Sequence, residues 1–154
     1  MKYSRKDKYA KPQTAADVLG IALLKEKASF ELYNQLLKDL KNTALATTLQ
    51  RLCNFENEHI KTIQKMLNNE KLELGLEIKN VVSYSKTEKY SKPYSAMDTL
   101  KIALEKEKSS YEFYSLFYNQ LFGNTESFAL LVMLKKLRNS EKEHIKIVEQ
   151  LISK

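Results

Sequence analysis

Four long stretches of the chain carry apolar residues at every third or fourth position, the spacing of an amphipathic helix. The first stripe consists of Leu19, Ala22, Leu23, Phe30, Tyr33, Leu37 and Leu40. The third consists of Leu100, Ala103, Leu104, Tyr111, Tyr114, Phe117 or Tyr118, and Leu121. The second runs from Leu45 to Met66 or Leu67, and the fourth from Leu130 to Leu151. We therefore predict helices over residues 14–41, 44–69, 95–122 and 127–152.

Short polar turns join these helices into two hairpins. Thr14-x-x-Asp17 and Ser95-x-x-Asp98 have the spacing of a capping box at a helix start. Asn42 and Gly123 are residues of the kind that ends a helix. Each hairpin thus pairs two helices across a turn of a few residues.

The connection between the hairpins, residues 70–94, has no helical period. Leu72, Leu74, Leu76 and Ile78 alternate with polar residues, which predicts an extended segment with one face against the protein. A simple up-down-up-down bundle needs only a few residues at this point. We therefore predict an all-α fold, a four-helix bundle in which one long crossover produces the order up-down-down-up.

The two halves of the chain repeat each other. Residues 8–33 recur at 89–114 with 16 identical residues. Glu56-Asn-Glu-His59 recurs as Glu141-Lys-Glu-His144. We read 8–69 and 89–152 as an internal repeat with approximate two-fold symmetry, within a domain of residues 14–154 that follows a basic flexible tail, residues 1–13.

Six polar residues occupy positions that continue the apolar stripes, at nearly the same height along the bundle. They are Glu26, Glu56, His59, Glu107, Glu141 and His144. An unpaired buried carboxylate costs several kcal/mol, so a positive charge must compensate. Four carboxylates balance two divalent cations, and mixed carboxylate and imidazole ligands suit iron or manganese. We therefore predict two bound metal ions.

This pattern, Glu26-x6-Tyr33 with Glu56-x-x-His59 and its second copy, resembles the ferritin-like di-iron carboxylate family, and within it the rubrerythrin type. The resemblance implies that Glu26 and Glu107 are terminal or bridging ligands. It also implies that Glu56 and Glu141 bridge the metals, with one histidine on each. Relatives of this type reduce peroxide, or oxidise ferrous iron with oxygen or peroxide. We expect catalytic roles for Glu26, Glu107 and the two tyrosines, Tyr33 and Tyr114, although ordinary core packing also explains the tyrosines.

The chain differs from a full rubrerythrin because it has a single cysteine, Cys53, and no Cys-rich rubredoxin segment. An external electron donor is therefore expected. Two other interpretations remain open: an iron-binding or sensing protein without turnover, and a metal-free helical interaction module. We read Cys53 as a small core residue. Glu31, Glu112, Glu58 and Glu143 are read as surface charges, and Glu107 is preferred to Glu105 or Glu112 as the ligand on helix three.

Composition limits the cellular locations and binding partners that we expect for this protein. The net charge of +7 is spread over lysines interleaved with glutamates, which favours a solvated surface over nucleic-acid binding. There is no apolar run of the ~20 residues that a membrane helix needs, and no signal-peptide segment, so we expect a cytoplasmic protein with no membrane partner. The many aromatic residues of helix three predict a homodimer. No Ser-His-Asp set or Gly-rich phosphate loop is evident.

Overall fold

In a computed structural model the chain forms four helices, α1 (Ala15–Leu40), α2 (Ala46–Leu67), α3 (Ala96–Leu121) and α4 (Phe128–Ser153). The structure describes residues 15–68, 95–123 and 128–153, which contain no β-strand. The all-α class and the four helices are confirmed, with every end within two residues of its predicted position. The predicted tail and the alternating segment from Leu72 to Ile78 lie outside the described residues. Among those residues, no helix combines the length and apolar character needed to cross a membrane.

Local signals explain where the helices begin and end. Ser95 caps α3, because its side-chain oxygen accepts a hydrogen bond from the Asp98 backbone N–H at 3.0 Å. Gly123 follows α3 with a φ of +81°, the left-handed conformation that glycine adopts without steric cost. In the first turn, the Thr43 hydroxyl donates to the Leu40 carbonyl at 2.7 Å and accepts from the Leu45 N–H at 3.2 Å. The other predicted cap, Thr14, lies outside the described residues.

Two apolar clusters, one at each end of the bundle, define the topology. The first cluster joins the beginning of α1 and α4 to the end of α2 and α3, and includes Leu19, Ile63, Phe117 and Leu130. The second cluster joins the opposite ends of the same helices, and includes Leu36, Leu52, Leu100 and Val148.

Helices α1 and α4 therefore run one way and α2 and α3 the other, which confirms the up-down-down-up order. Helix α2 ends at one end of the bundle and α3 begins at the other. Each helix packs against two others: α1 against α2 and α3, and α4 against α3 and α2.

The apolar stripe predicted for α1 differs from the buried face of the helix by about one residue along one edge. Phe30 and Leu37 are only partly buried, whereas Leu32 and Leu36 are in the core. The reason is that α1 packs against two helices at once, which buries a wider face than a single line of apolar residues. On α3, similarly, Phe113 is fully buried. Part of the aromatic surplus that suggested a homodimer thus lies inside the single chain.

Candidate metal centre

The six predicted ligand residues lie together in the middle of the bundle. Each has between 0 and 8 % of its surface exposed. Helices α1 and α3 each contribute one glutamate, and α2 and α4 each contribute a Glu-x-x-His pair. The spacing of three residues brings Glu56 and His59 onto one face of α2, one turn apart, and does the same for the pair on α4.

His59 is at the centre of the first set of possible ligands. Its Nδ1 is 3.1 Å from Glu26 Oε1 and 3.4 Å from Glu141 Oε2. Together with Glu56 these residues offer four atoms that all lie within 4.8 Å of one another. The set combines residues of α1, α2 and α4, so it brings both hairpins together.

His144 is at the centre of a second set. Its Nδ1 is 3.1 Å from Glu56 Oε2 and 3.6 Å from Glu107 Oε2. With Glu141, these residues again offer four atoms within 4.8 Å of one another. Glu56 and Glu141 belong to both sets. Two adjacent sets that share two carboxylates have the composition expected of a carboxylate-bridged two-metal centre.

The two tyrosines contact the same site from the neighbouring helix. The Tyr33 hydroxyl on α1 donates to Glu107 Oε2 on α3. Reciprocally, the Tyr114 hydroxyl on α3 donates to Glu26 Oε2 on α1 at 2.7 Å. Both rings are also fully buried. The tyrosines therefore pack in the core and bind the candidate ligands as well.

Several buried carboxylate oxygens have no hydrogen-bond partner among the described residues. They are Glu56 Oε1, Glu107 Oε1 and both oxygens of Glu141. A buried acceptor without a partner loses its hydration and gains nothing in return. Oxygen donors converging with two imidazole nitrogens are what a divalent iron or manganese ion requires. The residues present therefore fit a pair of metal ions.

Comparison with known proteins agrees with this geometry. A model of the rubrerythrin family matches residues 17–152, which span all four helices and all six candidate ligands. The chain belongs to the rubrerythrin family. Comparisons with curated proteins and with solved structures each gave no significant match. In this member of the rubrerythrin family, the buried cluster of glutamates and histidines is compatible with a di-iron site.

The four glutamates of this rubrerythrin-family site fall into two classes by their pKa values. Burial favours a higher pKa in Glu26 and Glu107. The hydrogen bond from His59 to Glu26, the hydrogen bond from Tyr33 to Glu107 and the nearby charge of His144 outweigh burial and lower the pKa of both carboxyls. Burial and the negative charges of neighbouring glutamates raise the pKa of Glu56 and Glu141 well above the usual value. Glu56 and Glu141, which the two sets share, therefore bind protons more readily than Glu26 and Glu107.

Both histidines hold protons as well. Burial opposes charge on His59, but the carboxylates of Glu141 and Glu26, 3.4 and 3.1 Å from its Nδ1, raise its pKa to about 10. The carboxylates of Glu107 and Glu141, 3.6 and 3.7 Å from its Nδ1, likewise outweigh burial and raise the pKa of His144 to about 9. Two imidazolium groups then balance the two ionised carboxylates. The rubrerythrin site can thus be neutralised by protons in place of metal ions.

The glutamates that were set aside lie on the surface, as expected. Those next to the histidines, Glu58 and Glu143, have side chains that are 70 % and 66 % exposed. Glu31, Glu105 and Glu112 are exposed too. Cys53 is buried within the second apolar cluster, where burial raises the pKa of its thiol, and it belongs to neither ligand set.

Ser140 is the polar contact of this rubrerythrin site that the sequence interpretation missed. Its Oγ is 2.9 Å from His59 Nε2 and 3.3 Å from His144 Nε2. One signal was available, because Ser140 lies four residues before His144 and so shares its helix face. The contact with His59 depends on how α2 and α4 pack, which the sequence pattern does not give.

Proposed function

We propose that this chain is a di-iron oxidoreductase. It would reduce hydrogen peroxide or oxygen with electrons from an external donor, or oxidise ferrous iron as its substrate. The observation that carries the proposal is the pair of ligand sets that share Glu56 and Glu141. A site for a single structural cation would have no need of a second histidine set 3 to 4 Å from the same carboxylates.

In this proposal Glu26 and His59 would hold one ion, Glu107 and His144 would hold the other, and Glu56 and Glu141 would be shared between them. Two ferrous ions held there would supply the two electrons that convert peroxide to two waters, together with two protons. Manganese or a mixed pair would fit the same donor set. The four carboxylates match the charge of two divalent ions.

The surrounding residues hold the ligand side chains in fixed orientations, and the site is buried from solvent. The Tyr114 hydroxyl donates to Glu26 Oε2 and the Tyr33 hydroxyl donates to Glu107 Oε2, and each hydrogen bond limits rotation of that carboxylate. Burial, together with the negative charge of Glu107 on Tyr33 and of Glu26 on Tyr114, raises the pKa of both phenols well above the usual value. Each phenol therefore keeps its proton on Oη and remains a hydrogen-bond donor.

The electron donor is proposed to be a separate molecule. A rubredoxin-type centre needs several cysteines, and this sequence has one, which is buried and belongs to neither ligand set. A reduced redox protein or ferrous iron would supply the electrons. Homodimer formation and a cytoplasmic location, both expected from the sequence, complete the proposal as further hypotheses.

Iron content followed by a single-turnover experiment tests the proposal. The protein is analysed for metal after aerobic purification, then loaded anaerobically with ferrous iron and mixed with hydrogen peroxide in a stopped-flow instrument. We expect about two ferrous ions to be oxidised per peroxide consumed, much faster than ferrous iron alone in the same buffer.

The other outcomes separate the alternatives. Iron that binds but is not oxidised faster than free iron would indicate an iron-binding or sensing protein. A chain that binds no metal would favour the helical interaction module and contradict the proposal. Glu56→Gln is the matched variant, because it keeps the shape of a shared ligand and removes its charge.

A further inference from the structure

The Ser140 hydroxyl lies between the two histidine rings, on the side away from the carboxylates. The rings are stacked, with centroids 5.4 Å apart and planes tilted by 16°. Their Nδ1 atoms face the glutamates, while both Nε2 atoms approach the same oxygen, Ser140 Oγ, at 2.9 and 3.3 Å. One hydroxyl on α4 thus contacts a histidine from each hairpin.

The protonation state of each imidazole sets the direction of these bonds. A neutral imidazole that binds a cation through Nδ1 must carry its proton on Nε2. An imidazolium, the alternative form, carries a proton on both nitrogens. In either form Nε2–H is a donor, and a serine oxygen has two lone pairs with which to accept. Ser140 Oγ can therefore accept from His59 and His144 at the same time.

The internal repeat does not provide a second hydroxyl. The residue equivalent to Ser140 in the first half is Phe55, since both directly precede the shared glutamates. The Phe55 ring stacks on His144 with centroids 5.2 Å apart and offers no acceptor in the ring plane. The side chain of His144 is accordingly 1 % exposed, against 11 % for His59. The two-fold symmetry of the site is broken at this position, and one serine serves both rings.

We propose that Ser140 is a shared positioning residue: its hydroxyl accepts a hydrogen bond from Nε2–H of both His59 and His144. It thereby holds both rings with Nδ1 directed at the glutamates. The consequence for metal binding rests on the function proposed above. Loss of an outer partner of a metal-binding histidine lowers metal affinity about 10- to 100-fold. Loss of the Ser140 hydroxyl would therefore lower metal affinity at both metal positions.

The test is nuclear magnetic resonance of protein labelled with ¹⁵N at histidine, recorded metal-free and loaded with zinc, which is diamagnetic. In the wild type we expect two protected Nε2–H signals. In Ser140→Ala both signals should move and exchange faster with water, and both steps of a zinc titration should weaken about 10- to 100-fold. Ser140→Thr, which keeps the hydroxyl, should restore both signals.

Phe55→Ala is the matched control, because it removes the other contact of His144 and leaves the hydroxyl in place. It should leave the His59 signal unchanged. A change confined to one histidine in Ser140→Ala, or no change in either, would overturn the proposal. If the wild type fails to bind zinc or iron, the proposed metal centre is wrong. The metal-free spectra still decide whether the two hydrogen bonds exist.

Discussion

At the scale of single residues, the buried glutamates differ in how their charge is compensated. Glu26 and Glu107 each accept a hydrogen bond from a tyrosine and have a histidine Nδ1 at 3.1 and 3.6 Å, so they remain ionised. Glu56 and Glu141 have negative neighbours and oxygens without hydrogen-bond partners among the described residues. A bound cation would therefore stabilise the charges of these two shared residues most.

A matched pair of substitutions on α2 tests this assignment. Glu56→Gln should abolish binding of at least one metal, because it neutralises a bridging ligand, while the metal-free fold survives without a buried acid. Glu58→Gln should leave metal content unchanged, since its side chain is exposed, with a stability change within about 0.5 kcal/mol. Metal analysis and denaturant unfolding of both variants provide the measurement. Loss of metal in Glu58→Gln alone would show that the helix face is assigned wrongly.

Metal uptake should release protons. The pKa values of about 10 for His59 and about 9 for His144 mean that both rings are protonated at neutral pH, and a metal ion must displace the Nδ1 proton. Calorimetric titration in buffers of different ionisation enthalpy should show at least one proton released per histidine. Affinity should weaken as the pH falls from 8 to 6, and a pH-independent affinity would contradict these shifts.

The stability of the metal-free protein should depend on pH in the opposite sense to metal affinity, and should fall as the pH rises. Because the folded pKa values of both histidines are raised above 6.5, their contribution to stability is complete below that pH. It is lost as the pH rises through about 9 to 10.

The ligand residues could be predicted from the sequence because they interrupt apolar stripes. Glu26 and Glu107 stand at core positions, and a charge in a core requires an explanation. Which glutamate each tyrosine binds could not be predicted, because Tyr33 reaches Glu107 only when α1 and α3 lie side by side and antiparallel. Ser140 was missed for a similar reason, since its partner His59 is on another helix. Sequence periodicity predicts the helix face on which a residue lies, but it does not predict which residue of a neighbouring helix it contacts.

At the scale of helices, the interface between α1 and α3 is held by two reciprocal hydrogen bonds. Tyr33 of α1 binds Glu107 of α3, and Tyr114 of α3 binds Glu26 of α1. Beside them, Lys25 Nζ donates to Ser109 Oγ across the same interface at 3.1 Å. These polar contacts fix the relative height of two helices that apolar packing alone would leave free to slide.

Tyr33→Phe should therefore destabilise the protein by about 1–3 kcal/mol, because it leaves the buried Glu107 carboxylate without its donor. Tyr118→Phe is the control, since the Tyr118 ring lies partly exposed over Arg138 and would keep that contact. Chemical denaturation of both metal-free variants gives the comparison. Equal stability of Tyr33→Phe and the wild type would mean that the hydrogen bond has no energetic role.

At the scale of the whole molecule, the site lies between the two apolar clusters and contacts all four helices. Each ligand set draws on both hairpins, and the two halves share Glu56 and Glu141. The up-down-down-up order was predictable from the length of the crossover, because 25 residues are too many for a turn. The domain limits and the partners remain predictions.

Bound metal should stabilise the whole bundle. Cations that bind only the folded chain raise its stability by mass action, by about 2.7 kcal/mol when the free metal is 100 times its dissociation constant. The melting temperature should rise with added ferrous iron under anaerobic conditions and fall again with a chelator. Glu56→Gln should show a smaller rise than the wild type. A wild-type melting curve that does not move with iron or chelator would contradict this expectation.

Iron-edge anomalous diffraction from crystals grown with ferrous iron would show whether six side chains of one bundle bind two metal ions. We predict two peaks about 3.5–4 Å apart, one beside His59 and one beside His144, with Glu56 and Glu141 between them. A single peak, peaks only at the surface, or no peak in crystals that contain iron would contradict it.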